Sequence, residues 1–333
     1  RFQGSGRYAA SFGRISIETD NLRAALAWAA ETGSELELKL AVFYQLSRDV
    51  GPTEGRAILE EALARSTAAG ATRARGLLAL GGLARMQGDL GEAEARFEES
   101  LALYRAEGDA HGAMEALRRL ASATIDAGDF DRATELIDAA ESIALDTGDT
   151  RLISYVAAFR ATFPLFRGEY AEARAQMERV LALRESIGDD EGAAFTRGFL
   201  AFIALLQGEI SEALEGLEAS LRFALEIAEF PNAIASSLRD LAAAFEAMGA
   251  IGSAVRTYAA GEAFLRARGV ETTGPFRELD DRVLGPVRRA ADDPRFGEER
   301  AAGEAMSLDE AAEYALSVAR RLREAGGRTA QSR

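Results

Sequence analysis

A glycine followed by an acidic residue recurs along this chain at an interval of 40 residues. One series comprises Gly88-Asp89, Gly128-Asp129, Gly168-Glu169 and Gly208-Glu209, with a further turn glycine at Gly249. A second series, offset by 20 residues, comprises Gly108-Asp109, Gly148-Asp149 and Gly188-Asp189. Two turns per period predict repeats of two helices, each of about 16–17 residues. Such a chain stacks helical hairpins on their neighbours.

The chemistry of these turns explains their composition. Glycine directly after a helix adopts the left-handed conformation without a steric penalty. The acidic residue that follows lies at the start of the next helix, where its carboxylate is stabilised by free N–H groups and by the helix dipole. Each glycine-acid pair therefore predicts one helix end and one helix start.

Residues of fixed size surround each turn glycine of the first series. Small residues allow two helices to approach closely, and we expect the bulky residue after the glycine to plug the gap beside them. Small residues stand seven before and five after the glycine, bulky ones two after, and large apolar ones nine after: Gly81, Ala121, Ala161, Ala201 and Ala242; Ala93, Ala133, Ala173, Ala213 and Ala254; Leu90, Phe130, Tyr170, Ile210 and Ile251; Phe97, Ile137, Met177, Leu217 and Tyr258.

This pattern resembles the tetratricopeptide repeat, although the period exceeds the usual length of about 34 residues and the first helix lacks a strongly aromatic start. The resemblance implies an all-α fold, a right-handed superhelical α-solenoid of tetratricopeptide-like hairpins. We expect residues 15–270 to form the solenoid, 271–325 a C-terminal helical cap and 326–333 a disordered tail. Residues 1–14 are interpreted as a linker remnant, because the opening RFQGSG resembles an engineered protease site; a native flexible lead-in is the alternative.

Composition narrows the possible functions. The 333 residues carry a net charge of −15, which argues against nucleic acid as a partner because phosphate binding requires a basic face. The absence of cysteine excludes disulfides and cysteine-ligated metals, and a single histidine, His111, excludes a histidine-rich metal site; no cofactor is expected. No apolar run approaches the length of a membrane span, so we expect a cytoplasmic protein without a membrane partner.

The two ends of the chain contain less regular helices. An amphipathic helix is expected at 18–32, ended by Gly33, and two further helices at 35–49 and 54–69, separated by Gly51-Pro52. Prolines at 275, 286 and 294 are expected to break the periodicity. Ser307 and Glu310 form a capping box that predicts a last helix ending near residue 324.

Three segments resemble the helical-repeat region of large bacterial signalling ATPases: 18–28 (ETDNLRAALAW), 51–63 and 303–311 (GEAMSLDEA). That family includes LuxR-type transcriptional regulators, antibiotic-regulatory activators and some nucleotide cyclases, and the resemblance spans roughly residues 15–320. It implies an upstream ATPase module as a partner. No ATPase activity is expected here, because the only lysine, Lys39, lies outside any glycine-rich loop.

The sequence offers little support for catalysis. Acidic clusters at 189–191 and 292–293 lie at turns and helix starts, where capping explains them. His111 lies at a helix start and is interpreted as a surface or capping residue. No serine stands in a nucleophile-elbow motif. We therefore expect a protein that is not an enzyme.

The expected binding surface is the concave groove, which the first helix of each hairpin lines in tetratricopeptide arrays. Its early repeats present charge and its middle repeats aromatic rings, with Phe159, Phe163 and Phe199 adding to the latter. The rings either fill space between hairpins or form a partly exposed patch; in the second case Phe166, Phe195 and Phe202 would anchor a partner whose acidic groups meet Arg118 and Arg239. The expected partner-binding residues are Arg75, Arg85, Arg118, Tyr155, Phe166, Phe195, Phe202 and Arg239.

These observations predict an interaction or sensor domain of a bacterial signalling ATPase, specifically of a transcriptional regulator. Its partner would be a protein, a peptide or a small inducer. The alternative is a free-standing scaffold that assembles several proteins without switching. A phosphate-binding loop in the flanking sequence would favour the regulator.

Overall fold

The computed structural model describes residues 18–34, 36–45, 50–227, 231–270, 272 and 274–331, and the linker at 1–14 lies outside these ranges. Within them the regular structure is helical and contains no strand, so the all-α prediction is confirmed. A single 3-10 turn spans Pro294–Phe296. The α-helices are α1 Thr19–Thr32, α2 Glu37–Tyr44, α3 Pro52–Arg65, α4 Gly70–Met86, α5 Leu90–Glu107, α6 Ala110–Asp126, α7 Phe130–Thr147, α8 Thr150–Arg160, α9 Phe163–Phe166, α10 Tyr170–Ser186, α11 Asp190–Gln207, α12 Ile210–Ile227, α13 Pro231–Ala247, α14 Ile251–Ala267, α15 Gly274–Asp292, α16 Gly297–Glu304 and α17 Leu308–Gln331.

The chain divides into two compact units. The first comprises residues 1–160 and 268–276, and its hairpins include α4–α5 and α6–α7. The second comprises residues 161–267 and 277–333, with the hairpins α11–α12 and α13–α14. The boundary after Arg160 falls inside the range 15–270 that the repeat pattern treats as one array.

The turns have the predicted chemistry. Gly88, Gly128 and Gly208 adopt left-handed conformations with φ of 76°, 86° and 79°. The side chain of Asp89 accepts a hydrogen bond from the N–H of Glu92, as expected for a residue that caps the following helix. The carboxylates of the equivalent aspartates at positions 109, 129 and 189 accept the same bond from the residue three positions later.

The small positions lie in the core, as predicted. Ala93, Ala133, Ala173, Ala213 and Ala254 are all fully buried. The large apolar residues four positions later are buried as well, which places the two helices of each hairpin in close contact. The bulky residues directly after the turns are less buried than expected: Phe130 and Ile251 remain more than one-third exposed because they lie at helix starts on the rim of the hairpins.

Replacing Ala173 by leucine should lower the free energy of unfolding by about 1–3 kcal/mol, because the fully buried site has no room for a larger side chain. Urea unfolding monitored by circular dichroism measures this difference. Ala171→Leu on the exposed face of the same helix is the matched control and should change stability by less than about 0.5 kcal/mol. Equal effects at both positions would mean that the repeat register is wrong.

One first helix departs from the regular length. The expected continuous helix from Thr150 is divided into α8 and the short α9, with a break at residues 161–162. Pro164 causes the break, because proline donates no backbone N–H and its ring clashes with the carbonyl of Arg160. The division between the two units falls at the same place.

The terminal regions differ in detail from the expectations. Helix α2 is described from Glu37 to Tyr44, residues 46–49 lie outside the described ranges, and Pro52 begins α3 as predicted. Pro286, expected to break the repeat periodicity, lies inside the helix α15. The capping box is present, since the Ser307 N–H donates to the Glu310 carboxylate at 2.8 Å.

The last helix, expected to end near residue 324, extends to Gln331 because no proline terminates it. No described helix is both long and apolar enough to cross a membrane.

Candidate interaction surface

The predicted site residues lie on the first helices of successive hairpins, in two sets. Arg75, Arg85, Arg118 and Tyr155 belong to the first unit, on α4, α6 and α8. Phe166, Phe195, Phe202 and Arg239 belong to the second unit, on α9, α11 and α13. Each set is therefore considered within its own unit.

A stack of charged and aromatic side chains is the main feature of the first unit. The Nε and Nη2 atoms of Arg118 donate to the two carboxylate oxygens of Glu115 at 3.0 and 2.9 Å. The Nε of Arg119 donates to the same carboxylate at 2.7 Å. The guanidinium of Arg118 lies 4.7 Å from the ring centroid of Tyr155 and 5.8 Å from that of Phe159, which are cation–π distances.

The opposite charges of Glu115 and of Arg118 and Arg119 offset the free-energy cost of burying these side chains. Burial alone would raise the pKa of Glu115, but the charges and hydrogen bonds of Arg118 and Arg119 hold the pKa of its carboxyl at about 2. Burial would likewise lower the pKa of Arg118, whereas Glu115 and Tyr155 raise it. Arg118 therefore stays charged where it lies against the Tyr155 ring.

The surface around Arg118 and Tyr155 carries excess positive charge. Tyr155 is 39% exposed, and the side chain of Arg119 is 42% exposed and lies against Gly82 of α4. Arg75, seven residues earlier on the same face of α4, is also exposed. Among residues 75, 115, 118, 119 and 155, three arginines and one glutamate give a net charge of about +2 in a chain of net charge −15, and Arg75 also hydrogen-bonds Tyr104, whose hydroxyl lies near Asp109. We call these residues, 75, 115, 118, 119 and 155, the arginine–tyrosine surface.

Arg85 lies outside this surface and has an intramolecular partner. Its Nη1 donates to the carboxylate of Asp126 at 2.7 Å, and the Asp126 side chain is almost completely buried. Gly274 adopts a left-handed φ of 57° against Asp126, where a Cβ atom would stand 2.4 Å from the Asp126 Cα. Arg268 also donates to the Val50 carbonyl at 2.9 Å, so Arg268 and Gly274 both contact earlier residues of the first unit.

Some phenylalanines of the second unit fill space in the core, and others remain partly exposed. Phe163 is buried, and Phe202 packs against the main hydrophobic core. Phe195 and Phe199 remain 38% and 36% exposed. The Phe195 ring meets Phe223 edge to face with centroids 6.4 Å apart. Phe166 is partly buried.

Arg239 is buried and its acidic neighbours come from the chain itself. It forms ion pairs with Glu262 of α14 at 2.7 Å and with Asp280 of α15 at 2.5 Å. The adjacent Asp240 has its pKa raised to about 7, mainly by burial and further by the charge of Asp280, against the opposing effect of Arg239. The hypothesis that Arg239 meets the acidic groups of an external partner is therefore unsupported while α15 is in place.

No family model matches this chain, and no curated protein matches it. Among solved structures, a Rap protein complexed with competence and sporulation factor is similar over 99% of this chain and 100% of that one, with a TM-score of 0.57 at 13% identity. Two structures of a putative kinesin light chain from Podospora anserina, with nearly identical tetratricopeptide-like repeats, are similar over 66% of this chain and 94% of theirs, with TM-scores of 0.39 at 19% identity.

The chain has a tetratricopeptide-like fold. The predicted resemblance to these repeats is thereby confirmed at the level of fold. Within the described part of the chain, no group of three or more histidine, cysteine or acidic side chains could hold a metal ion. His111 is exposed at the start of α6.

One residue of the arginine–tyrosine surface, Arg119, was missed in the sequence, and one residue beside it, Phe159, was undervalued. Arg119 was overlooked, although its position four residues after Glu115 is the spacing of an ion pair on one helix face. Phe159 was noted only as part of the aromatic cluster, yet it contacts Arg118 together with Tyr155, four residues earlier on the same helix. Scanning for charges and rings at helical spacing would have found both.

Proposed function

We propose that this chain is a sensor or interaction domain whose first unit binds an acidic segment of a protein or peptide on the arginine–tyrosine surface. The observation that carries the proposal is the stack of Tyr155 on Arg118. It presents a half-exposed aromatic ring on a charged base, the type of residue that most often anchors an interface. A ring already packed against a neighbouring side chain loses little freedom when a partner binds.

The charge of the surface selects the partner. Arg75 is exposed and the Arg119 side chain is 42% exposed, and planar guanidinium forks suit carboxylates. Glu115 balances only one of the three arginines. The complementary partner therefore carries two or more acidic residues next to an apolar group that packs on Tyr155.

The wider context is also a proposal. The segments at 18–28, 51–63 and 303–311 support a role in a cytoplasmic signalling ATPase, specifically a transcriptional regulator, in which an ATPase module receives the binding signal. The Rap protein of similar fold was solved with competence and sporulation factor, which supports recognition of a signalling factor by this type of scaffold. Such scaffolds act by binding, so the proposed role is non-catalytic.

The test uses a panel of fluorescein-labelled 12-residue peptides, each with one phenylalanine and either none or three glutamates beside it. We expect the acidic peptides to bind the full chain and the neutral ones to bind at least tenfold more weakly, as measured by fluorescence anisotropy. Tyr155→Ala and Arg119→Ala should each weaken the acidic peptides about tenfold, equivalent to about 1.4 kcal/mol.

Arg132→Ala is the matched control, because Arg132 is an exposed arginine on the second helix of a hairpin, paired with Glu94 and Glu98. It should leave peptide affinity unchanged. An equal loss of peptide affinity in the Arg132 and Arg119 variants would contradict the proposal. Equal affinity for the acidic and the neutral peptides would contradict it as well.

A further inference from the structure

A cavity of about 310 Å³ in the second unit is lined by residues of α14, α15 and α16. Its volume lies at the lower end of the range of about 300–1,000 Å³ that small-molecule sites occupy. The residues that each helix contributes are mostly spaced three or four positions apart, so they share one face of their helix. Tyr258, Ala259 and Ala291 form the apolar part of the wall and are buried. The cavity therefore has the size of a site for a small molecule.

The packing of α16 on α14 explains why space remains here. Glu299, near the start of α16, lies against Gly252 of α14. Near the end of α16, a Cβ atom on Gly303 would stand only 3.0 Å from the Ala259 Cβ. The two helices therefore run in the same direction. Because α16 ends at Glu304, it leaves the last two turns of α14 uncovered, and these turns border the cavity.

Four exposed charged side chains of the cavity wall form no ion pair with any residue of the described part of the chain: Arg266, Asp292, Arg300 and Glu304. One of the two arginines makes a single long contact, in which Nη1 donates to the Ala291 carbonyl at 3.5 Å. The other charged residues of the wall have partners, since Glu262 pairs with Arg239 and Arg288 with Asp281. The unpaired set consists of two positive and two negative charges.

A single small molecule can satisfy all four of these charges. An exposed charge on one helix is ordinarily solvated and needs no ligand. Here, however, two cations and two anions from three helices line the same cavity without pairing with one another. A carboxylate can accept hydrogen bonds from two guanidinium groups, and an ammonium group can donate to two carboxylates. A ligand that carries both groups therefore complements this wall.

We propose that the cavity binds a free amino acid with an uncharged side chain. Its carboxylate accepts from Arg266 and Arg300, and its ammonium group donates to Asp292 and Glu304. Its side chain packs against the Tyr258 ring. A charged side chain would add a charge for which the balanced wall has no partner. This inference goes beyond the proposed function, because it concerns a small molecule and a site in the other unit.

Isothermal titration calorimetry on the full chain tests the site with L-alanine, L-leucine and L-phenylalanine, whose uncharged side chains differ in size. We expect at least one of them to bind with a Kd of about 1 mM or lower. The amide of that amino acid lacks the carboxylate, and its N-acetyl derivative lacks the ammonium group. Both derivatives should bind about tenfold more weakly, because each leaves two charged side chains of the wall unsatisfied.

Two variants identify which end of the ligand each charge meets. Asp292→Asn should weaken the amino acid about tenfold without weakening the N-acetyl derivative, which has no ammonium group. Arg266→Gln should weaken the amino acid by a similar factor without weakening the amide. Arg289→Gln and Glu298→Gln are the matched controls and should bind normally, since both residues are exposed on α15 and α16 but lie outside the cavity wall. Circular dichroism without ligand checks that every variant is folded.

The inference is overturned if all three amino acids bind more weakly than expected, or if either derivative binds as tightly as its parent. Equal affinity of the N-acetyl derivative would show a site for a simple anion instead. An equal loss of affinity in the control variants would contradict the assignment of the wall charges. Tyr155→Ala in the first unit should leave these affinities unchanged, so failure here is separate from failure of the proposed function.

Discussion

Replacing Arg239 by methionine should lower the free energy of unfolding by about 3–5 kcal/mol at pH 7, because it leaves buried carboxylates without their counter-charge. Arg239 is 6% exposed and pairs with Glu262 and Asp280, and Asp240 lies near the same cluster. Methionine preserves much of the apolar volume of the arginine side chain. The loss of stability therefore results from the missing charge rather than from a cavity. Urea unfolding at pH 7 and at pH 5 measures it.

The pKa of Asp240 determines in which direction stability changes with pH. The pKa of Asp240 is about 7 in the folded protein against an ordinary value of 3.8, so the native state binds more protons than the unfolded state between about pH 4 and pH 7. Ionisation of Asp240 therefore lowers stability as the pH rises through this range. Without Arg239 the charge of Asp280 acts on Asp240 unopposed, so the pKa of Asp240 should rise further and the variant should recover part of its lost stability at pH 5.

Arg96→Met is the control for the removal of an arginine. Arg96 pairs with Glu92 and Glu99 on its own helix and its side chain is about one-third exposed, so its loss should amount to less than about 1 kcal/mol. If the Arg239 variant loses no more stability than the Arg96 variant, a buried charge cluster does not hold α13, α14 and α15 together.

The sequence was sufficient for the hairpins because their determinants are local. Gly128 fixes a helix end through its own backbone conformation, and Asp129 caps the next helix three residues away. Ala133 marks a close helix–helix contact that recurs every 40 residues. The break before Pro164 could also have been predicted from proline chemistry alone.

Contacts between repeats were harder to predict, since they depend on where each helix face points. Arg85 pairs with Asp126 and Arg239 with Asp280, each across 41 residues, which is one repeat period plus one residue. A search for opposite charges at that separation would have suggested that both arginines have internal partners. The helical state of α15 leaves no such signal, because Gly285 and Pro286 indicate an interrupted segment rather than a helix.

The arginine–tyrosine surface was only partly predictable for a related reason. Arg118 and Tyr155 were both assigned to the groove, and their separation of 37 positions is close to one period. Their stacking at 4.7 Å depends also on the side-chain conformations and on how far each side chain remains exposed. Periodicity assigns a residue to a helix face but does not determine how neighbouring side chains share that face.

Glu115→Gln should lower the free energy of unfolding by about 2–3 kcal/mol at pH 7, since the neutral amide cannot balance Arg118 and Arg119. The pKa of the Glu115 carboxyl is about 2 in the folded protein against an ordinary 4.5. An acid whose pKa is lowered by folding stabilises the folded state at pH values above its pKa in the unfolded chain. For Glu115 this contribution is lost as the pH falls from about 4.5 towards 2. The variant and the unaltered chain should therefore converge in stability near pH 2, as measured by urea unfolding at pH 7, 4 and 2.

The same substitution separates stability from binding. Removing the charge of Glu115 raises the local charge of the arginine–tyrosine surface from about +2 to about +3, so an acidic probe peptide should bind the less stable variant more tightly. Glu92→Gln, on a helix outside this surface, is the control and should change neither stability by more than about 1 kcal/mol nor affinity. Weaker binding by Glu115→Gln would show instead that Glu115 positions the two arginines, because their charge would then be present but no longer ordered beneath Tyr155.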